Sequence, residues 1–227
     1  DGTTDAYCPV CKKTVTWYEW TKEDQMPVTT GHYQLMNDIQ LKGQPAQVED
    51  AKVCIDLNGH TITREYAGTG EKFAINAKHN LIITDTSAEG KGAIKSVGGE
   101  AQFTNPASVA YLTGSGHLIL AGGTLDGSAT KITNEKVNGT VAPSGTVYMN
   151  SNTKLTVIGG TINGSPSSRV STSGNGGTCV GGFSATKITV WGGKLLAPQP
   201  VEDQPVARDG GCIKIGGDVF VHGGEIL

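Results

Sequence analysis

A Gly-Gly pair that keeps returning at a nearly constant interval constrains this chain more than any other feature. The copies are His117-Leu-Ile-Leu-Ala-Gly-Gly-Thr-Leu-Asp-Gly-Ser128, Lys154-Leu-Thr-Val-Ile-Gly-Gly-Thr-Ile-Asn-Gly-Ser165, Lys187-Ile-Thr-Val-Trp-Gly-Gly-Lys-Leu-Leu-Ala-Pro198 and Asp218-Val-Phe-Val-His-Gly-Gly-Glu-Ile-Leu227. The first glycines stand at 122, 159, 192 and 223, giving steps of 37, 33 and 31 residues. A degenerate copy, Asn80-Leu-Ile-Ile-Thr-Asp-Thr86, precedes them. Units of this length cannot bury an apolar face alone, so they stack into solenoids, propellers or arrays.

Each copy alternates with period two, which marks a strand with one face buried. Leu118/Leu120, Leu155/Val157, Ile188/Val190 and Val219/Val221 form the inward set. A first short strand precedes each copy, at Val109–Leu112, Thr146–Met149, Thr178–Val180 and Cys212–Ile215, and a third follows each Gly-Gly. Three short strands per unit, with glycine where the chain turns sharply, describe one coil of an all-β parallel β-helix. Glycine suits such corners because it adopts positive φ at little steric cost. A propeller blade needs a fourth strand that is missing here, and no segment carries a helical stripe. Which face of the first strand points inward, Ala110/Val147 or Tyr111/Tyr148, is left open by the pattern.

The same units extend back through Val53–Leu57 with His60–Thr63, and through Phe73–Asn76 to Ala93–Ile94. Residues 1–50 differ, with Trp17, Tyr18, Trp20 and two cysteines. They are expected to cap the stack, leaving 51–227 as coils. Insertions recur at one place in the unit, Ala129–Ser144, Pro166–Gly176 and Gln199–Asp209, so stacking gathers them on one edge where binding residues usually lie. The last copy alternates to Leu227, and a longer parent chain is expected; Asp1 begins without the charged and apolar regions of a signal peptide.

These residues carry a resemblance. Val53-Cys-Ile-Asp-Leu-Asn-Gly-His-Thr-Ile-Thr63, Asn80-Leu-Ile-Ile-Thr-Asp-Thr-Ser87 and the Gly-Gly-Thr-Ile-Asn-Gly copies are similar to the right-handed, pectate-lyase-like parallel β-helix repeats of large bacterial cell-surface proteins. Cys8-Pro-Val-Cys11, Val15-Thr-Trp17 and Gly31-His-Tyr33 resemble the segment that often precedes such repeats. The resemblance implies a right-handed single-stranded β-helix and a secreted or surface location. It leaves activity open, because this architecture serves adhesins, stalks, lyases and glycosidases alike.

Cys8-x-x-Cys11 with His32 has the donor types and spacing of a structural zinc site, which needs a fourth ligand. Asp5, His60 or a residue upstream is a candidate for it. A Cys8–Cys11 disulfide and two free thiols are the alternatives. Cys54, Cys179 and Cys212 each open the first strand of a coil and read as small apolar fillers, the last two aligned on consecutive coils. A disulfide between in-register parallel neighbours is geometrically awkward.

The outward set of the second strands is unexpectedly apolar. It contains Ile158, Trp191, Phe220 and His222; a row of aromatics offers a contact surface to sugars or proteins, and cover by a long loop or an adjacent domain is the alternative. On the loop edge, Lys131, Arg169 and Arg208 are candidate ligand-binding bases. Asp126, Glu135, Glu202, Asp203 and Asp209 are the carboxylates a hydrolase or lyase would draw on. They do not recur in register: Asp126 corresponds to Asn163 and then Leu196. No nucleophile elbow, phosphate loop, dinucleotide fingerprint or zinc-protease helix is present.

A net charge of −3, from 18 basic and 21 acidic residues, argues against nucleic acid as the main partner. No apolar run approaches the roughly 18 residues needed to span a bilayer. The expectation is a non-catalytic secreted or surface module that binds a glycan or a surface protein, as one part of a larger multidomain chain. A polysaccharide lyase or hydrolase, or a passive stalk, are the alternatives.

Overall fold

A computed structural model describes residues 2–21, 26–27, 29–42, 47–48, 52–65, 72–97, 107–129, 145–165, 178–198 and 211–227. Among them every regular element is a strand. In chain order these are β1 (Thr3–Cys8), β2 (Lys13–Trp20), β3 (Gly31–Leu35), β4 (Ile39–Leu41), β5 (Gln47–Val48), β6 (Lys52–Asp56) and β7 (Thr61–Glu65). Then follow β8 (Lys72–Ala77), β9 (Asn80–Thr84), β10 (Ala93–Val97), β11 (Ala107–Leu112), β12 (His117–Leu120) and β13 (Thr124–Asp126). The last are β14 (Val147–Met149), β15 (Lys154–Val157), β16 (Thr161–Asn163), β17 (Val180–Val190), β18 (Lys194–Leu196), β19 (Ile213–Val221) and β20 (Glu225–Ile226).

Apart from the antiparallel β1–β2 hairpin, every pairing is parallel, and the strands fall into three rows. Row one pairs β5, β8, β11, β14 and the start of β17. Row two runs from β2 through β3, β6, β9, β12 and β15 to the end of β17. Row three is a separate sheet of β4, β7, β10, β13, β16, β18 and β20. The chain visits the rows in turn, so each sequence unit adds one strand to each. Rows one and two fuse where β17 and then β19 run unbroken through the bend, with register shifts around Ser184. Two separate strands are expected there from the sequence. Instead Ala185, at φ 57°, absorbs the bend without ending the strand.

Register explains the periodicity. Leu81, Leu118, Leu155 and Ile188 stand in one column of row two, and Ile62, Ile94, Leu125, Ile162 and Leu195 in one column of row three. All are fully buried and belong to a single apolar cluster with Ile75, Ala110, Val147 and Val180 of row one. Full burial of each Leu, Ile or Val stabilises by about 1.5–3 kcal/mol. Ala110/Val147 is therefore the inward face of the first strand, whereas Tyr111 and Tyr148 lie outside this cluster.

The Gly-Gly pair has two separate causes. Its second member takes positive φ, 76° at Gly160 and 79° at Gly193. Its first member lies against the preceding unit: a Cβ on Gly159 would stand 2.7 Å from the Ala121 carbonyl oxygen, and one on Gly192 2.5 Å from that of Ile158. Positive φ and close stacking both constrain the second glycine, since a Cβ on Gly160 would stand 2.5 Å from the Gly123 carbonyl oxygen, whereas stacking alone requires the first.

Strands β3, β4 and β5 extend all three rows back into the segment expected to form the cap. The hairpin β1–β2 continues row two beyond them. Carboxylates tie consecutive turns together here. Buried Asp56 accepts hydrogen bonds from Asn58 N, Thr86 N and Gln34 Nε2. Asp85 accepts from Gly59 N and Ser87 N.

Candidate functional site

Two places bring chemistry-bearing side chains together. The first lies where the hairpin meets row two. Cys8 ends β1, and Cys8-Pro-Val-Cys-Lys12 makes the turn into β2: Lys12 N donates to the Cys8 carbonyl at 2.9 Å, with Lys12 at φ 58°. That turn aims the Cys11 amide at Cys8 Sγ, 3.3 Å away. Row two then sets Trp17 beside His32 and His32 beside Cys54, in register on one face.

The donor atoms of Cys8, His32 and Cys54 all lie within 4.8 Å of one another, and this group can hold a metal ion. Cys11 Sγ lies 3.2 Å from His32 Nε2. All the cysteines are free of disulfides. Trp17 stands edge-on to the His32 ring at 5.2 Å, and Val10, Val15 and Ile82 pack around Cys8, Trp17 and Cys54 as a small apolar cluster. Burial pushes the Cys54 thiol up, with the neighbouring Cys8 and Cys11 adding to it. Burial also raises Cys11, and it lowers His32, to which Lys13 contributes. Without a cation, burial thus favours the thiol forms of Cys54 and Cys11 and the neutral form of the His32 imidazole.

The sequence named Cys8, Cys11 and His32, and the structure brings them together. It corrects Cys54. This residue does not open a first strand or fill the core: it sits in row two, in register with Ile82, facing away from the core that Val53 and Ile55 enter. A legible signal existed, because alternation in Val53-Cys-Ile55 already puts Cys54 on the opposite face. Asp5, one of the two described candidates for a fourth ligand, accepts from Thr16 Oγ1 on the exposed face of the hairpin. His60 faces Asp38 at 3.4 Å.

Cys179 and Cys212 do align on consecutive units, with sulfurs 2.8 Å apart. Their hydrogen bond holds Cys179 protonated and pushes the Cys212 thiol down.

The second place is the outward side of row two. Ile158 and Trp191 are 48% and 57% exposed, although each directly follows a fully buried valine. The Trp191 ring stacks on His222, centroids 3.9 Å apart and planes 12° apart. Phe220 is also exposed, and Lys187 Nζ sits 4.8 Å from its ring centre. A second aromatic line went unnoticed in the sequence: Phe73, Tyr111, Tyr148 and Phe183 follow one another on row one at 5.0, 5.2 and 5.8 Å. Burial and Tyr111 push the Tyr148 hydroxyl up. The sequence aligns only Tyr111 with Tyr148; Phe73 pairs with Ser108, and Phe183 lies two residues beyond Gly181, the partner of Tyr148.

Lys131, Arg169, Arg208, Glu135, Glu202, Asp203 and Asp209 lie outside the described residues. Asp126 accepts from the Ser128 amide at 3.1 Å, a local turn bond. Among the described residues, no helix is long and apolar enough to cross a membrane. Family models, curated proteins and solved structures yield no match to the chain.

Proposed function

We propose that this chain is a right-handed, single-stranded parallel β-helix with a capping segment at residues 1–50. On this reading it is a non-catalytic module, secreted or held at a bacterial surface, that binds a glycan or protein partner. The visiting order of the three rows supports the architecture, and parallel connections within a sheet are right-handed in nearly every known case. Zinc is the cation that suits the Cys8–His32–Cys54 group, in a structural role that fastens the hairpin to the rows.

One observation carries the binding reading: the exposed Ile158–Trp191 line on an otherwise in-register sheet. Isolated apolar side chains at a surface need no explanation, whereas a contiguous line on a rigid scaffold marks an interaction surface. The geometry restricts how it is used. Stacking on His222 occupies one face of Trp191, so a partner meets ring edges and aliphatic tips in a line along the sheet.

The test is a glycan array probed with wild type and Trp191→Ala. Signal on a defined glycan class, lost in Trp191→Ala with unchanged thermal stability, is the expected result. Absence of signal on every glycan overturns glycan binding and leaves the stalk. Release of products from a polysaccharide by the intact chain would replace the reading with a lyase or hydrolase.

A further inference from the structure

We propose that Cys11 is the fourth donor of the Cys8–His32–Cys54 group, closing a Cys3His zinc site whose loading pins the β1–β2 hairpin onto the parallel rows. This rests on the zinc reading above and is independent of whether the outer line binds glycans.

Three of the four donors are already assembled, and the fourth touches one of them. Zn–S and Zn–N bonds of about 2.3 and 2.0 Å place tetrahedral ligands about 3.5–3.8 Å apart. Cys8, His32 and Cys54 already lie within 4.8 Å of one another, and Cys11 Sγ is 3.2 Å from His32 Nε2. Cys11 stands beside the imidazole but outside that mutual 4.8 Å group, so closing the tetrahedron requires its Sγ to shift towards Cys8 and Cys54. The turn is also built for a thiolate: the Cys11 amide points at Cys8 Sγ. A thiol sulfur is a weak acceptor, and a charged sulfur makes that N–H bond much stronger.

The surroundings assign a structural role. Trp17, Val10, Val15 and Ile82 close over the group, and four protein donors leave no position for water or substrate. Binding releases three thiol protons to solvent and changes no oxidation state. Three thiolates and one divalent cation leave a single negative charge. Lys13 is near enough to act electrostatically on both Cys11 and His32, and offsets it.

The ligands come from three elements: the β1–β2 turn, β3 and β6. His32 and Cys54 face the group only in the observed register, since a slip of one residue would turn either side chain to the other face. Metal binding therefore fixes pairing across the strands that join the hairpin to the units.

The experiment uses the intact chain purified under reducing conditions, with metal content measured by mass spectrometry and the same measurement on Cys11→Ser and Cys179→Ser. About one zinc per chain is expected in wild type and Cys179→Ser. Cys11→Ser should lose affinity by more than the roughly 10–100-fold that removal of an outer-shell partner costs. Cobalt(II) loaded into wild type should show tetrahedral d–d bands with thiolate charge transfer scaled to three sulfurs, a readout that does not depend on any variant folding. Unchanged affinity in Cys11→Ser, or a cobalt spectrum with two sulfurs, overturns the fourth donor. A metal-free chain that takes up no cobalt, or a Cys8–Cys11 disulfide, overturns the site itself.

Discussion

The hairpin at one end and the Gly-Gly units at the other solve the same problem, fixing strand register, by different means. In the units, Leu118, Leu155 and Ile188 repeat one environment, and backbone contacts at the glycine pair hold the spacing. Every copy carries the same instruction, so an error in one is opposed by its neighbours. At the hairpin, register rests on single side chains: Trp17 over His32, His32 beside Cys54, and the turn at Cys8–Lys12. Nothing repeats there, and one lost group removes the constraint.

The largest effect should come from striking the backbone contact in the units. Gly160 combines φ 76° with a Cβ position 2.5 Å from the Gly123 carbonyl oxygen. Gly160→Val should cost about 4 kcal/mol or more, strain and collision acting together. Gly90 is the control: its φ is 61° but nothing lies within 4 Å of the added atom, so Gly90→Ala should cost only about 1–2 kcal/mol. Urea unfolding of both measures the difference. Equal losses would mean that positive φ alone explains Gly160 and that close stacking at this position is irrelevant.

A smaller and local effect is expected from removing metal at the other end. With a strong chelator under reducing conditions, amides of β1 and β2 should lose protection from hydrogen exchange by ~tenfold or more. Those of β12, β15 and β16 should be unchanged, because their neighbours on both sides are in-register strands. Loss of protection spread evenly over all rows would erase the proposed distinction between a pinned hairpin and self-supporting units.

The same contrast explains what the sequence disclosed. Period-two alternation and spaced glycines are local and repeated, so the strands at Leu118, Leu155 and Ile188 could be aligned by inspection. The metal group depends on register between strands 22 residues apart, His32 and Cys54, with no second copy for comparison. Cys8-x-x-Cys11 was legible because its geometry is made within one turn. Cys54 was legible only in its face, which alternation gives, and not in its neighbour, and placing it with Cys179 and Cys212 at the start of a first strand missed both. The first glycine of the pair was misread for a similar reason: positive φ is a property of one residue, while the approach of Gly159 to Ala121 depends on the next unit.

The smallest predicted effect compares two histidines. Burial lowers both His32 and His117, and a lysine adds to it in each case, Lys13 for the first and Lys154 for the second. His117 stands in register with Lys154, and its Nε2 shares a 2.9 Å hydrogen bond with Thr156 Oγ1. A histidine whose folded pKa lies below its unfolded value near 6.5 binds protons more readily when the chain unfolds. Its contribution is therefore undiminished above about pH 6.5 and is lost as pH falls from there towards the folded pKa, levelling off below it. His117→Gln removes this titration, so the stability gap between wild type and variant should shrink from pH 7.5 to pH 5.5 in thermal melts. His32 should behave differently while metal is bound, since its nitrogen cannot take a proton without giving up the ligand, and acid should release metal and hairpin together. A constant gap for His117→Gln at both pH values would remove the buried-histidine contribution from the units and leave acid sensitivity to the hairpin alone.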